Sequence, residues 1–176
     1  MATVIRTYEP KFWDRFYIPA MVQGLLITLG RFLHRKDTVE YPEVKHVPPP
    51  GYRGLHRLTK HEDGRIKCVA CEMCQTACPA HCIDIEPSAA PWEEGEERYP
   101  VKFDIDLLRC IYCGFCEIAC PKDAIQLTEI YDFAAYARKD LKIDMEGLLR
   151  VYEVTKDGNV YERQNRGEKI EVPIDR

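Results

Sequence analysis

Apolar residues return at a helical interval through 18–33, IPAMVQGLLITLGRFL. Ile18, Met21, Val22, Leu25, Leu26, Leu29, Phe32 and Leu33 fall on i, i+3, i+4, i+7, i+8, i+11, i+14 and i+15, which predicts an amphipathic helix. Pro19 suits its first turn, and Ala20, Gln23, Gly24, Thr28 and Gly30 make the other face small or mildly polar. Further along, the period shortens to two. CIDIEP at 82–87 and AIQLTE at 124–129 alternate as strands do, and LHRLTK at 55–60 and YPVKFDID at 99–106 are candidates for two more. The stretch from 131, YDFAAYARKDLKIDMEGLLRVYE, predicts helix in parts. The charged tail from 157, DGNVYERQNRGEKIEVPIDR, predicts an extended or poorly ordered strap.

These elements divide the chain into three regions. Residues 1–50 form an N-terminal extension that ends in a Pro-rich, stiff connector, EYPEVKHVPPPG. Residues 51–130 hold all nine cysteines, and residues 131–176 are a C-terminal extension. The middle region is an internal repeat: sliding 68–85 onto 110–127 superposes Cys68 on Cys110, Cys71 on Cys113, Cys74 on Cys116, Ala77 on Ala119, Cys78 on Cys120, Pro79 on Pro121 and Ile83 on Ile125. Each copy reads strand, cysteine loop, short helical turn, strand. Two such copies related by a pseudo-twofold axis predict a small α+β domain whose core is lean without an inorganic filling.

The doubled phrase is C-x2-C-x2-C-x3-C-P, at 68–79 and again at 110–121. Three thiolates spaced by two residues wrap three corners of a cube. The fourth, three residues on, points elsewhere and ligates the other cluster in two-cluster ferredoxins. The expected ligands are Cys68, Cys71, Cys74 and Cys120 for one 4Fe–4S cluster, and Cys110, Cys113, Cys116 and Cys78 for the second. Zinc is the competing metal, but a structural zinc site usually shows two separated C-x2-C knuckles rather than three cysteines in seven residues followed by C-P. Cys82 superposes on Ala124, which favours packing as a small hydrophobe over service as a redox switch or substitute ligand. Lys67 and Arg109 each precede a first ligand, either offsetting cluster charge or simply solvated. His34, His46, His56, His61 and His81 show no ligand spacing and are expected at the surface or satisfied.

Charge narrows the partners. The chain carries 25 Lys+Arg against 29 Asp+Glu, and eight ligating thiolates on two +2 cores add about −4 more. That disfavours nucleic acid. No signal-peptide pattern opens the chain, so the thiols are expected in a reducing compartment, cytosolic or cytosol-facing. The helix at 18–33 would be about 24 Å long, short of a roughly 30 Å hydrocarbon core. Lys11 and Arg15 precede it and Arg31, His34, Arg35 and Lys36 close or follow it. Basic at both ends, it is expected to lie along a cytoplasm-facing membrane surface or against a membrane protein, with folding back onto the cluster domain as the alternative.

Longer phrases carry a resemblance. YRGLHRLT at 52–59, GRIKCVACEMCQTACPAHCIDIE at 64–86, ERYPVKFDIDLLRCIYCGFCEIACPKDAI at 97–125 and YDF at 131–133 resemble the two-cluster subunit I of bacterial-type NADH:quinone oxidoreductase, respiratory complex I. The resemblance spans roughly 18–150 and retains all eight ligand positions. It departs at Cys82, at Glu72–Met73, where Gly and an aliphatic are commoner, and after 150. It implies a fixed relay that takes electrons from an upstream iron–sulfur subunit and passes them to the terminal cluster beside the quinone pocket, with a membrane subunit docking the helix. The alternatives are a cluster subunit of a membrane-bound hydrogenase or formate-linked complex, and a free two-cluster ferredoxin carrier. No Ser/His/Asp set, phosphate loop or flavin fingerprint points to substrate turnover in this chain.

Overall fold

The computed structural model describes Phe12 and residues 17–89 and 98–172, which fall in two units, Met1–Val39 and Glu40–Arg176. In the first, the predicted helix forms as α1, Tyr17–Leu33. None of its residues is buried within the chain, and Leu25, Leu26 and Leu29 are 68, 62 and 50% exposed. Among the described residues no helix is long and apolar enough to cross a membrane. Lys11 and Arg15 lie outside the described residues.

In the second unit all four predicted strands are present. The elements run β1 (His56–Leu58), α2 (Met73–Ala77), β2 (Ile83–Ala89), β3 (Arg98–Asp106), α3 (Phe115–Ile118) and β4 (Ile125–Leu127). β1 pairs antiparallel with β4, setting His56 opposite Leu127 and Leu58 opposite Ile125. β2 pairs antiparallel with β3, with Ile83 opposite Ile105 and Ile85 opposite Phe103, and its register shifts between Glu86 and Pro87. The strand before each cysteine loop therefore pairs with the strand after the other loop. This is the exchange a pseudo-twofold repeat requires.

The repeat extends to the backbone. Ala70 (φ 47°) and Tyr112 (φ 53°), Glu72 (φ 63°) and Gly114 (φ 82°), and His81 (φ 47°) and Asp123 (φ 48°) are all left-handed and all superpose when one copy slides onto the other. Glu72 and Gly114 begin α2 and α3, so the same reversal starts each helical turn and swings the third cysteine inward.

The inward faces of both sheets bury Leu58, Ile83, Ile85, Phe103, Ile105 and Ile125, and Leu55 is buried just ahead of β1. The C-terminal region covers one side. After a 3₁₀ turn at Arg138–Leu141, β5 (Lys142–Ile143) adds to β3, and α4 (Met145–Thr155) turns Leu148, Val151 and Thr155 into the core. That spacing of three and four residues is one helix face. Asp144 caps α4 by accepting from the Gly147 N–H at 2.7 Å. A side chain at Gly147 would meet Ile143 Cγ1 at 2.7 Å, so glycine is what lets the helix approach β5.

The tail departs from expectation. Instead of an extended strap, residues Val160–Asn165 form α5, capped by Asn159, whose Oδ1 accepts from the N–H groups of Tyr161 and Glu162 at 3.0 and 3.3 Å. Val160 and Tyr161 are fully buried. Two apolar anchors outweigh the charges around them. Residues 173–176 lie outside the described residues.

Candidate metal centres

The loops between strands bring the eight repeated cysteines to the walls of two cavities. The first is lined by Cys68, Cys71, Cys74 and Cys120, with Leu58, Ile85 and Ile125 among its apolar neighbours. The second is lined by Cys110, Cys113, Cys116 and Cys78, together with Cys82 and His56. Each wall takes three thiols from one loop and a fourth from the other. Among the described residues no three His, Cys, Asp or Glu side chains converge as on one metal ion; the thiols stand around the cavity walls instead.

Backbone N–H groups point at the sulfurs in the same way in both copies. The N–H two residues on, from Tyr112, reaches Cys110 Sγ at 3.4 Å, and that of Ala70 does the same for Cys68. The N–H four residues on, from Ala124, reaches Cys120 Sγ at 3.2 Å, and that of Cys82 does the same for Cys78. Fixed donors of this kind favour a negative sulfur. Burial works the other way: it pushes the Cys68 thiol up to about 11 and those of Cys74 and Cys116 up to about 12. At neutral pH these thiols are protonated until metal displaces the proton, so loading the sites releases acid. Burial works to raise Cys78 as well, but hydrogen bonds from the backbone N–H and side chain of Cys82 hold it below the ordinary thiol value. Soft sulfur donors, four to a cavity and surrounded by apolar residues, fit an iron–sulfur cluster.

The phrase RGLHRLT supports these walls nearly residue by residue. Arg53 Nη1 donates to the Cys113 carbonyl at 2.5 Å, tying the strand's approach to the second loop. A Cβ on Gly54 would lie 2.1 Å from the Ile130 carbonyl oxygen, so only glycine admits the pairing in which Gly54 N–H donates to Thr128 O at 2.7 Å. Arg57 donates to Gln126 Oε1 at 2.8 Å and to Thr155 Oγ1 at 2.8 Å, joining both strands of the first sheet to α4. Thr59 Oγ1 donates to the Asp123 carbonyl at 3.0 Å, at the end of the second loop.

His56 corrects the sequence reading. It is 1% exposed, its Nε2 lies 3.7 Å from Cys110 Sγ, and its Nδ1 has no hydrogen-bond partner. Desolvation lowers it to about 4, so the ring is neutral at physiological pH. The signal available was strand phase: in LHRL, His56 shares a face with Leu58. Cys82 is buried as expected, at 6% exposure, but its Sγ also sits 3.4 Å from that of Cys78. Of the two flanking cations, Arg109 pairs with Asp106 at 3.3 Å.

Residues 67–124 match the family described as 4Fe-4S dicluster domain. The chain is 47% identical over 152 residues to NADH-quinone oxidoreductase subunit I of Campylobacter fetus subsp. fetus (strain 82-40), covering 82% of this chain and 91% of that one. It is 44% identical over 132 residues to NADH-quinone oxidoreductase subunit I 1 of Geobacter sulfurreducens, covering 75% of this chain and 97% of the relative. Among solved structures, a chain of the membrane-bound sulfane sulfur reductase, an archaeal respiratory membrane complex, is 23% identical at a TM-score of 0.49, over 88% of this chain and 75% of that one. A likeness that distant adds nothing to the sequence relatives. With a dicluster domain across both cysteine loops and relatives matched nearly end to end, the chain belongs to the NADH-quinone oxidoreductase subunit I family.

Proposed function

We propose that the chain is the electron-relay subunit of a membrane-associated NADH:quinone oxidoreductase. Cys68, Cys71, Cys74 and Cys120 hold one 4Fe–4S cluster, and Cys110, Cys113, Cys116 and Cys78 hold the other. The observation that supports this division is the make-up of the cavity walls, where the fourth thiol is exchanged between loops. When bound, each cluster supplies a one-electron couple whose potential its surroundings set. The chain's own residues orient the sulfurs through backbone N–H groups, keep water away with Leu58, Ile85 and Ile125, and hold the two sites together by packing α2 on α3.

No substrate is turned over here. Electrons enter from an upstream iron–sulfur subunit and leave for the subunits that carry the terminal cluster and quinone site. Residues 1–50 attach the chain, residues 51–130 carry the clusters and residues 131–176 brace them. The exposed stripe of α1 supports docking on the cytoplasmic face of the membrane or on a membrane subunit. Anaerobic purification in mild detergent tests the reading. It should yield about eight iron and eight sulfide per chain, in an assembly that oxidises NADH. Stoichiometric zinc without sulfide would end it, and a free monomer that binds no other subunit would point to a diffusing carrier.

A further inference from the structure

The second cavity differs from the first in a way the repeat does not require. Cys82 and Ala124 occupy equivalent positions, and both give their backbone N–H to the preceding cysteine sulfur. Only Cys82 has a side chain with a further proton to offer. Its Sγ lies 3.4 Å from Cys78 Sγ. From another element, β1, the buried His56 sets Nε2 3.7 Å from Cys110 Sγ. Among the described residues the first cavity has no fifth thiol and no histidine on its wall.

We propose that Cys82 and His56 are sulfur-directed hydrogen-bond donors that raise the reduction potential of the second cluster above that of the first. This rests on the ligand division given above. A ligating thiolate has no proton to give, so in the contact between the two sulfurs Cys82 S–H donates and Cys78 accepts. The same logic selects the histidine tautomer: Nε2–H donates to Cys110, which leaves Nδ1 as the bare lone pair without a partner. Each donor draws charge from a ligand sulfur and so favours the cluster's more negative, reduced form. An electron arriving at the first site then moves downhill to the second. Cys82 and His56 act through Cys78 and Cys110 and are positioning residues.

The test is potentiometric titration followed by EPR on the full chain, purified anaerobically with its clusters in place. The two signals are assigned by which of them Cys71→Ser and Cys113→Ser perturb. Cys82→Ala should keep the wild-type iron and sulfide content, move the second-site midpoint to a more negative value and leave the first unchanged. Cys82→Ser, which restores a donor, should recover part of the shift, and His56→Leu combined with Cys82→Ala should enlarge it. An unmoved second-site midpoint in Cys82→Ala at full iron content would overturn the proposal. So would loss of about four irons, which would make Cys82 a ligand rather than a donor. The underlying ligand division fails separately, if Cys78→Ser perturbs only the signal of the Cys68–Cys71–Cys74 site.

Discussion

Cys120, which ends the second cysteine loop, lines the same cavity as Cys68, which begins the first. The sheet pairing accounts for it. β4 follows Cys120 and pairs with β1, which precedes the loop of Cys68, so the two cysteines are delivered to one side of the domain. Cys78 reaches the other cavity by the mirrored route through β2 and β3.

Cys120→Ala is therefore expected to damage the site of the other loop. In EPR of the reduced chain, the signal assigned to Cys68, Cys71 and Cys74 should be perturbed first, with the second site retained. Damage confined to the Cys110–Cys113–Cys116 signal would show that each loop keeps its own fourth ligand.

The left-handed positions give a matched pair of substitutions. Glu72 bears φ 63° where its repeat partner is Gly114. An L-residue there costs about 1–2 kcal/mol, of which glycine's extra unfolded-state entropy would return about 0.5–1 kcal/mol. Glu72→Gly should stabilise the loaded chain by up to about 1 kcal/mol. Gly114→Ala should destabilise it by about 1 kcal/mol or more, since φ is 82° and the new Cβ would sit 3.2 Å from Arg53 Cδ, disturbing the bond to Cys113. Denaturant titrations followed by cluster absorbance would read both. Equal effects of the two changes would mean the repeat symmetry of the backbone has no energetic content.

Much of the fold was readable because its signals are local. The cysteine spacing, the period-two strands and the stripe from Ile18 to Leu33 each declare themselves within a dozen residues. What stayed hidden depended on distant partners. His56 looks like any surface histidine until β1 is phased against the cysteine loops. In α5 six residues are too few for a helical period to register, and Tyr161 is surrounded by charged neighbours. Its burial comes from Tyr131 and Asp132, some thirty positions earlier. Asn159 was the available clue, as a capping residue before Val160.

That tail contact carries a pH dependence. Tyr161 Oη accepts from the N–H groups of Tyr131 and Asp132 at 2.9 and 3.2 Å and donates to the Asp132 carboxylate, which also pairs with Lys45 at 2.5 Å. Burial, reinforced by the bond to Asp132, pushes the Tyr161 phenol upward. Burial alone would lower Lys45, but the Asp132 carboxylate outweighs it and holds the amine above its ordinary value. Both groups bind their protons more tightly in the folded chain than in the unfolded one. Their contribution is fully present below about pH 10 and is lost as pH rises through the folded values. Stability should therefore fall on the alkaline side. Tyr161→Phe should cost about 1–3 kcal/mol at neutral pH, as two backbone donors lose their acceptor, and should flatten part of the alkaline slope. An unchanged slope would place the alkaline transition elsewhere.

Deleting residues 1–36 should leave iron and sulfide intact, because every cysteine lies at 68 or beyond. Attachment should fail. A buried Leu, Ile, Phe or Met side chain is worth roughly 1.5–3 kcal/mol, more than the about 1 kcal/mol of each surface cation can replace. The truncated chain should appear in the soluble fraction with its clusters, and membranes should lose NADH-to-quinone activity. Leu25→Asp with Leu29→Asp should act like the deletion, whereas Gln23→Ala should not. Loss of the clusters on truncation would make α1 part of the domain core.

The exchange of the fourth thiol also bears on the order of manufacture. A chain leaving the ribosome presents Cys68, Cys71 and Cys74 long before Cys120 has been translated, and the cavity they line has no fourth sulfur until then. Cys78 likewise waits for a loop that does not yet exist. Neither cavity can be completed during synthesis of the first half. On the proposed ligand division, metal assembly would be a late event, confined to chains translated past the second loop, and a transcript truncated between the loops would yield a product with neither cavity wall whole.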